Sequence, residues 1–227
     1  GARVLASIAG GTPDEFAQVA TRLLSSPAAA SVSGIEVNIS CPNVASRGLV
    51  FAIDPLASAA VIAAVRAAVP AHLPVFAKLS PDVTDLVTIA SACLGAGADG
   101  LTLINTTLGM AIDLDRMRPH LGGITGGLSG PAIRPIAVRA IWQVRAAMFA
   151  ERIPTAPIIG VGGVASGRDA LELAAAGASA IQVGTATFND PEAPVRVLDE
   201  LAGLLDERGY AAFADVVAAA HPERRRQ

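Results

Sequence analysis

Pro157-Ile158-Ile159-Gly160-Val161-Gly162-Gly163-Val164 is a short β-rich run that breaks into paired glycines, and one unit later Ala180-Ile181-Gln182-Val183-Gly184-Thr185-Ala186 repeats the design. Glycines at the ends of two successive strands let backbone N–H groups approach a phosphate, and a nearby helix start adds a favourable dipole. A (β/α)8 barrel builds its phosphate site from the loops after strands seven and eight. Reading these two runs as strands seven and eight makes the fold an α/β TIM barrel rather than an open doubly wound sheet. The dinucleotide version of the open sheet would carry GxGxxG after its first strand, and none follows Val4-Leu5-Ala6-Ser7-Ile8.

Outward from those turns the chain alternates short apolar runs with longer Ala-rich stretches. Strands are predicted at residues 4–8, 35–39, 74–79, 100–105, 157–161 and 180–183. Helices are predicted from Thr12-Pro13-Asp14-Glu15 to about 26, from Asp54-Pro55 to about 69, from about 82 to 94, from Pro131 to about 149, from Ser166 to Gly177, and onward from Asp190-Pro191-Glu192. Thr, Asp and Ser serve as N-caps, with Pro at the first helical position. Residues 106–130 read as one long Gly-containing loop, and no hairpin signal is visible. Repeated βα units imply parallel strands, each helix being the crossover. Six units ending in strands seven and eight are strands three to eight. Two units are then missing from the front, in keeping with a chain that opens on Gly1-Ala2-Arg3-Val4 without an initiator Met. The expectation is one N-terminally truncated barrel domain over 1–227, with a solvated basic tail at 221–227.

Composition narrows the class. Hydrophobic residues are 52% of the chain and charged residues 16%, so a disordered polyelectrolyte is excluded. A net charge of −3 gives no electrostatic footprint for nucleic acid. No apolar stretch reads as a membrane span. Two cysteines, Cys41 and Cys93, cannot build a disulfide framework, and no Cys/His cluster suggests a metal. These features point to a cytoplasmic protein with neither nucleic-acid nor membrane partners.

Alternate residues of a barrel strand point inward, and active sites lie at the C-terminal ends of the strands. In Ile35-Glu36-Val37-Asn38-Ile39-Ser40 the inward set is Glu36, Asn38 and Ser40; in Val75-Phe76-Ala77-Lys78-Leu79 it is Phe76 and Lys78. Asn105 ends the fourth strand. An inward Lys is costly unless it meets negative charge. Lys78 is expected to serve a ligand rather than a purely structural pair with Glu36, which lies deeper and reads as structural. Cys93 lies mid-helix and reads as a small core hydrophobe. Cys41 instead heads a polar loop at the catalytic end, where a thiol of pKa about 8.5 can act as a base or nucleophile near neutral pH.

The segment Val37-Asn38-Ile39-Ser40-Cys41-Pro42-Asn43-Val44 resembles the catalytic loop of the class 1 dihydroorotate dehydrogenases. The likeness continues in order through Lys78-Leu79-Ser80-Pro81-Asp82-Val83-Thr84-Asp85, Ala98 to Thr106, Thr125 to Pro135, and the two Gly-rich turns. Leu79-Ser80-Pro81 and Thr125-Gly126-Gly127-Leu128-Ser129-Gly130 look like the 1B subgroup, an NAD-linked catalytic subunit. Class 2 members have Ser where this chain has Cys41. The resemblance implies an FMN enzyme that oxidises (S)-dihydroorotate to orotate in pyrimidine synthesis. It implies Cys41 as the base at C5 and FMN as acceptor of the C6 hydride. It also implies substrate contacts at Asn38, Asn43, Asn105 and Thr106. Flavin contacts follow at Asn38, Lys78, Ile104 and Gly130, with a phosphate cradle of Gly162, Gly163, Gly184 and Thr185. Ser7 stands where many members have Asn, and a hydroxyl keeps one flavin hydrogen bond rather than two. The loop from Cys41 to Ile53 is expected to cover the site. The implied assembly is a homodimer of catalytic subunits with an electron-transfer subunit that carries FAD and a [2Fe–2S] cluster. Three other readings compete. One is the FMN domain of dihydropyrimidine dehydrogenase, which Cys41-Pro42-Asn43-Val44 disfavours. Another is a phosphate-ligand barrel without redox chemistry, which leaves the Cys41 loop unexplained. The last is an inactive barrel fragment with an exposed strand edge.

Overall fold

A computed structural model describes residues 3–40 and 48–226. Cys41 and Asn43 lie outside the described residues. The chain lays down β1 (Val4–Ile8), α1 (Pro13–Leu24), β2 (Val32–Asn38), α2 (Gly48–Ile53), α3 (Pro55–Ala68), β3 (Val75–Leu79), α4 (Leu86–Gly95) and β4 (Gly100–Leu103). An excursion of four short strands follows: β5 (Thr107–Gly109), β6 (Ile112–Asp113), β7 (Arg118–Pro119) and β8 (Gly126–Leu128). Then come α5 (Arg134–Phe149), β9 (Ile158–Val161), α6 (Gly167–Ala176), β10 (Ala180–Gln182) and α7 (Ala193–Glu207).

Six strands pair in the order β1-β2-β3-β4-β9-β10, every pair parallel, as the βα alternation requires. The sheet curls about its own interior. Gln182 on β10 reaches back to Glu36 on β2 with its Nε2 3.3 Å from Oε2, although three strands lie between them in the sheet. This is part of a TIM barrel, and β1 and β10 are its edges. On β2 and β3 the helix-facing Ile35, Val37, Val75, Ala77 and Leu79 are fully buried. The alternate residues face the interior in rows. Ser7, Glu36 and Phe76 stand side by side in one, and Asn38, Lys78 and Thr102 in the next.

The caps follow the sequence where the side chain has nothing else to bind. Thr12 accepts from Glu15 N at 3.2 Å, Asp54 from Leu56 N at 2.9 Å, and Ser166 from Asp169 N at 3.3 Å. The fourth helix departs from expectation. Asp82 does not open it, because its carboxylate accepts from the Thr107 hydroxyl and from Leu108 N at 2.8 Å, which ties the loop after β3 to β5. Asp85 caps α4 instead, accepting from Val87 N at 3.0 Å and Thr88 N at 3.2 Å. Those bonds, the Thr88 hydroxyl foremost, hold the Asp85 carboxyl below its ordinary range.

Three further expectations are corrected. Residues 106–130 are not a plain loop: β5 pairs antiparallel with β8, and β6 with β7. The part of the expected covering loop within the described residues, 48–53, is helical, and Phe51 meets Phe16 edge-on at 6.3 Å. The tail is not wholly solvated. His221 is fully buried, its ring stacked 3.7 Å from Trp142 and edge-on to Phe149, with Nε2 2.9 Å from the Ala176 carbonyl. Arg224 adds bonds to the carbonyls of Val217 and Ala214. The stacked and edge-on aromatic contacts of His221 favour docking of this end against α5.

Candidate active site

A cleft of about 380 Å³ opens at the C-terminal ends of the strands. Lys78, Ile104, Asn105, Thr106, Gly130, Gly162, Gly163, Gly184 and Thr185 all line it. Nine of the sequence-expected site residues therefore share one cavity. Asn38 and Ser7 do not line it, and each joins it through a neighbour.

One end of the cleft is made of backbone. Gly162 and Gly163 have φ of +132° and +75°, which L side chains rarely adopt. A Cβ on Gly163 would come within 2.8 Å of Arg134 N and 2.9 Å of Gly130 O, so the turn has no room for one. Gly184 meets nothing within 4 Å on its Cβ side, which leaves its backbone accessible to a ligand. Arg196 ties the two turns together. Its NH1 donates to Ala165 O at 3.1 Å, and its Nε and NH2 lie 3.1 and 2.9 Å from Asp190 Oδ2. NH1 also reaches Glu200 Oε1 at 2.9 Å, while Glu200 Oε2 accepts from Gly167 N at 2.7 Å at the start of α6. The Gly167 N–H and then Arg196 hold the Glu200 carboxyl below its ordinary range. Sequence reading missed Arg196; its helical position five residues past Pro191 carried no signal beyond its charge.

The other end is made of side chains. Asn105 Nδ2 donates to Ser40 Oγ at 2.8 Å and to Ser40 O at 3.0 Å, and lies 3.3 Å from Asn38 Oδ1. Asn105 Oδ1 accepts from Thr106 N at 2.9 Å. The Ser40 hydroxyl, in a residue 7% exposed, lies 3.1 Å from Asn38 Oδ1 and 3.2 Å from the Lys78 carbonyl. Strands β2, β3 and the end of β4 are thus joined by amides around one buried hydroxyl. Below them Lys78 Nζ is 3.4 Å from Glu36 Oε1. Lys78 both lines the cleft and pairs with Glu36. The Ser7 hydroxyl donates to Glu36 Oε1 at 2.9 Å. Thr102 Oγ1, in the same row as Lys78, is buried with no hydrogen-bond partner among the described residues.

The donor set fits FMN. Glycine turns too tight for side chains suit a phosphate, and amides with a cation suit a ring system bearing both N–H and C=O groups. Cys93 has no part in this chemistry: burial pushes its thiol up to about 12, and it lies in α4. Among the described residues no group of His, Cys, Asp and Glu forms a metal site.

The family model described as dihydroorotate dehydrogenase matches residues 1–205. The catalytic subunit of dihydroorotate dehydrogenase B (NAD(+)) from Trichlorobacter lovleyi is 51% identical over 215 residues, covering 95% of this chain and 67% of that protein. The corresponding subunit from Pelobacter propionicus is 50% identical, covering 92% of this chain and 66% of that protein. The chain thus spans about two thirds of the length of these curated relatives. In fold it is similar to the crystal structure of an Eimeria tenella enzyme in complex with ferulenol, with a TM-score of 0.75 at 24% identity over 92% of this chain and 58% of that one. With a matching model over nearly its whole length, a relative at 51% identity and a parallel sheet carrying the expected cleft, the chain belongs to the dihydroorotate dehydrogenase family.

Proposed function

We propose that the protein oxidises (S)-dihydroorotate to orotate in the de novo synthesis of UMP, with FMN as its bound cofactor. The observation that carries this reading is the single cleft shared by Lys78, Asn105 and Thr106 with the glycine turns at 162–163 and 184–185. When bound, FMN supplies the two-electron acceptor for the hydride that leaves C6 of the substrate. The backbone of Gly162, Gly163, Gly184 and Thr185 holds its phosphate, with Ile104 and Gly130 beside it. The Cys41 thiolate takes the C5 proton, so that a C5=C6 double bond forms as proton and hydride depart. Asn38, Asn43, Asn105 and Thr106 bind the substrate, and the Lys78 ammonium faces charge that builds as the reaction proceeds. Ser7, expected as a flavin contact, donates its hydroxyl to Glu36 and does not line the cleft.

The electron acceptor is NAD+, reached through a partner subunit carrying FAD and a [2Fe–2S] cluster; the relatives' description as catalytic subunits supports such a partner. Large apolar side chains exposed on the excursion, among them Leu108, Met110, Leu114 and Met117, support association of the catalytic subunits as a homodimer. The cytoplasmic location belongs to this reading through the likeness to the catalytic subunits; separately, among the described residues no helix is long and apolar enough to cross a membrane.

The test is an anaerobic flavin spectrum of the purified protein. Bound FMN is expected to bleach on adding dihydroorotate and not on adding dihydrouracil, which lacks the carboxylate. Colourless protein, or a flavin that ignores dihydroorotate, overturns the reading. In C41S the flavin should remain bound while turnover near neutral pH falls by roughly two orders of magnitude or more, since a hydroxyl is a far weaker acid than a thiol. Unchanged turnover removes Cys41 from the role of base.

A further inference from the structure

The interior of the sheet holds one acidic side chain that the chemistry above does not use. Glu36 is 3% exposed, and its two oxygens collect donors from three other strands. Oε1 faces the Ser7 hydroxyl of β1 at 2.9 Å and the Lys78 ammonium of β3 at 3.4 Å, and Oε2 faces the Gln182 amide of β10 at 3.3 Å. A carboxylate removed from water needs charge and hydrogen bonds in place of solvent. The three donors are unequal in kind. Ser7 and Gln182 are neutral and complete the carboxylate's lone pairs. Lys78 is the cation that Glu36 contacts among the described residues, and the same Lys78 lines the cleft. Its distance to Glu36 is long beside the about 2.7–2.9 Å usual for a charge-assisted bond. Lys78 is therefore held from behind without being spent on that pair.

We infer that Glu36 is a positioning residue that sets, through Lys78, how strongly the cleft favours the reduced, more negative form of the flavin over the oxidised form. The inference rests on the FMN reading above. A cation beside the ring system favours the reduced form, and an anion directly behind that cation subtracts from its field. Ser7 and Gln182 moderate the subtraction by occupying lone pairs that would otherwise draw Lys78 inward, away from the cleft. Four strands thus meet at a charge-setting point beneath the reaction site.

The experiment measures the midpoint potential of bound FMN and the affinity for oxidised FMN in the purified protein. E36Q keeps the shape and removes the charge. It is expected to shift binding toward reduced over oxidised FMN by about tenfold, which for a two-electron couple is an upward shift of about 30 mV. In a K78M background the same substitution should shift the potential clearly less, because Glu36 then has no Lys78 to draw away from the cleft. S7A, at an exposed edge-strand position, should lower the potential by a smaller amount, because Glu36 then draws harder on Lys78. An E36Q potential equal to that of the wild type, or a full shift persisting in K78M, overturns the inference. If E36Q fails to fold, S7A and Q182L decide, and unmoved potentials in both overturn it. Wild-type protein that takes up no FMN overturns the cofactor reading and this inference with it. Flavin bound with a potential indifferent to Glu36 leaves that reading standing and removes only the role given to Glu36.

Discussion

At one end of the cleft the chain presents backbone, and at the other it presents side chains. The turns at 162–163 and 184–185 present mainly the backbone of Gly162, Gly163 and Gly184, and the bonds that fix them come from Arg196, Asp190 and Glu200, of which Arg196 and Asp190 also line the cleft. The Asn38, Ser40, Asn105 and Lys78 cluster is the reverse: its own side chains face inward and brace one another, around a hydroxyl that water scarcely reaches. A site made of backbone is vulnerable to any added atom. A site made of side chains is vulnerable to any lost one. The supports differ too, since Arg196 is 44% exposed and its ion pairs are screened by solvent, while the amide cluster is not.

The largest effect expected from this contrast is at Gly163. G163V forces a β-branched side chain into φ +75° and against Arg134 N and Gly130 O. FMN affinity should fall on the order of a hundredfold or more, about 2.7 kcal/mol or greater, read by fluorescence titration. Tight FMN binding by G163V would show that the turn yields, and that the backbone end is less rigid than its geometry. Next is N105A, which strips Ser40 and Asn38 of a shared donor. Substrate-dependent flavin bleaching should slow roughly tenfold to a hundredfold, for a loss of roughly 1–3 kcal/mol, while FMN stays bound. A large loss of FMN instead would mean that the two ends are not separable. The smallest effect is at Arg196. R196A should weaken FMN binding by a factor of about three, and the deficit should shrink as salt is added, because the wild-type ion pairs are screened in the same way. A salt-independent loss of tenfold or more would make Arg196 a direct ligand rather than a brace.

The same contrast decides what could be read without coordinates. The backbone end was legible because glycine is a local signal: paired glycines after a β run have few other uses, and Gly162, Gly163 and Gly184 stand in the cleft as read. The inward side chains were legible through strand alternation, which put Glu36, Asn38 and Lys78 on one face. What alternation could not reveal was their partners. Gln182 meets Glu36 only because the sheet curls, and no local pattern encodes curvature. The excursion was missed for a related reason: its paired strands span two or three residues each, too short for any period to show. Asp82 and Asp85 both look like caps, and only the presence of β5 beside Asp82 decides between them. The tail was misread because its charges were counted and its one buried ring was not. Trp142 and Phe149, seven residues apart on α5, form the shelf that receives His221.

That shelf gives the molecule an optical property. Trp142 is the chain's single tryptophan, and its indole lies face to face with the imidazole of His221. Ultraviolet-excited emission from the flavin-free protein therefore comes mainly from a fluorophore whose one face is covered by residues past 220. The chain carries a built-in reporter of whether its last turn is seated, and a change in that emission marks undocking of the tail without any label.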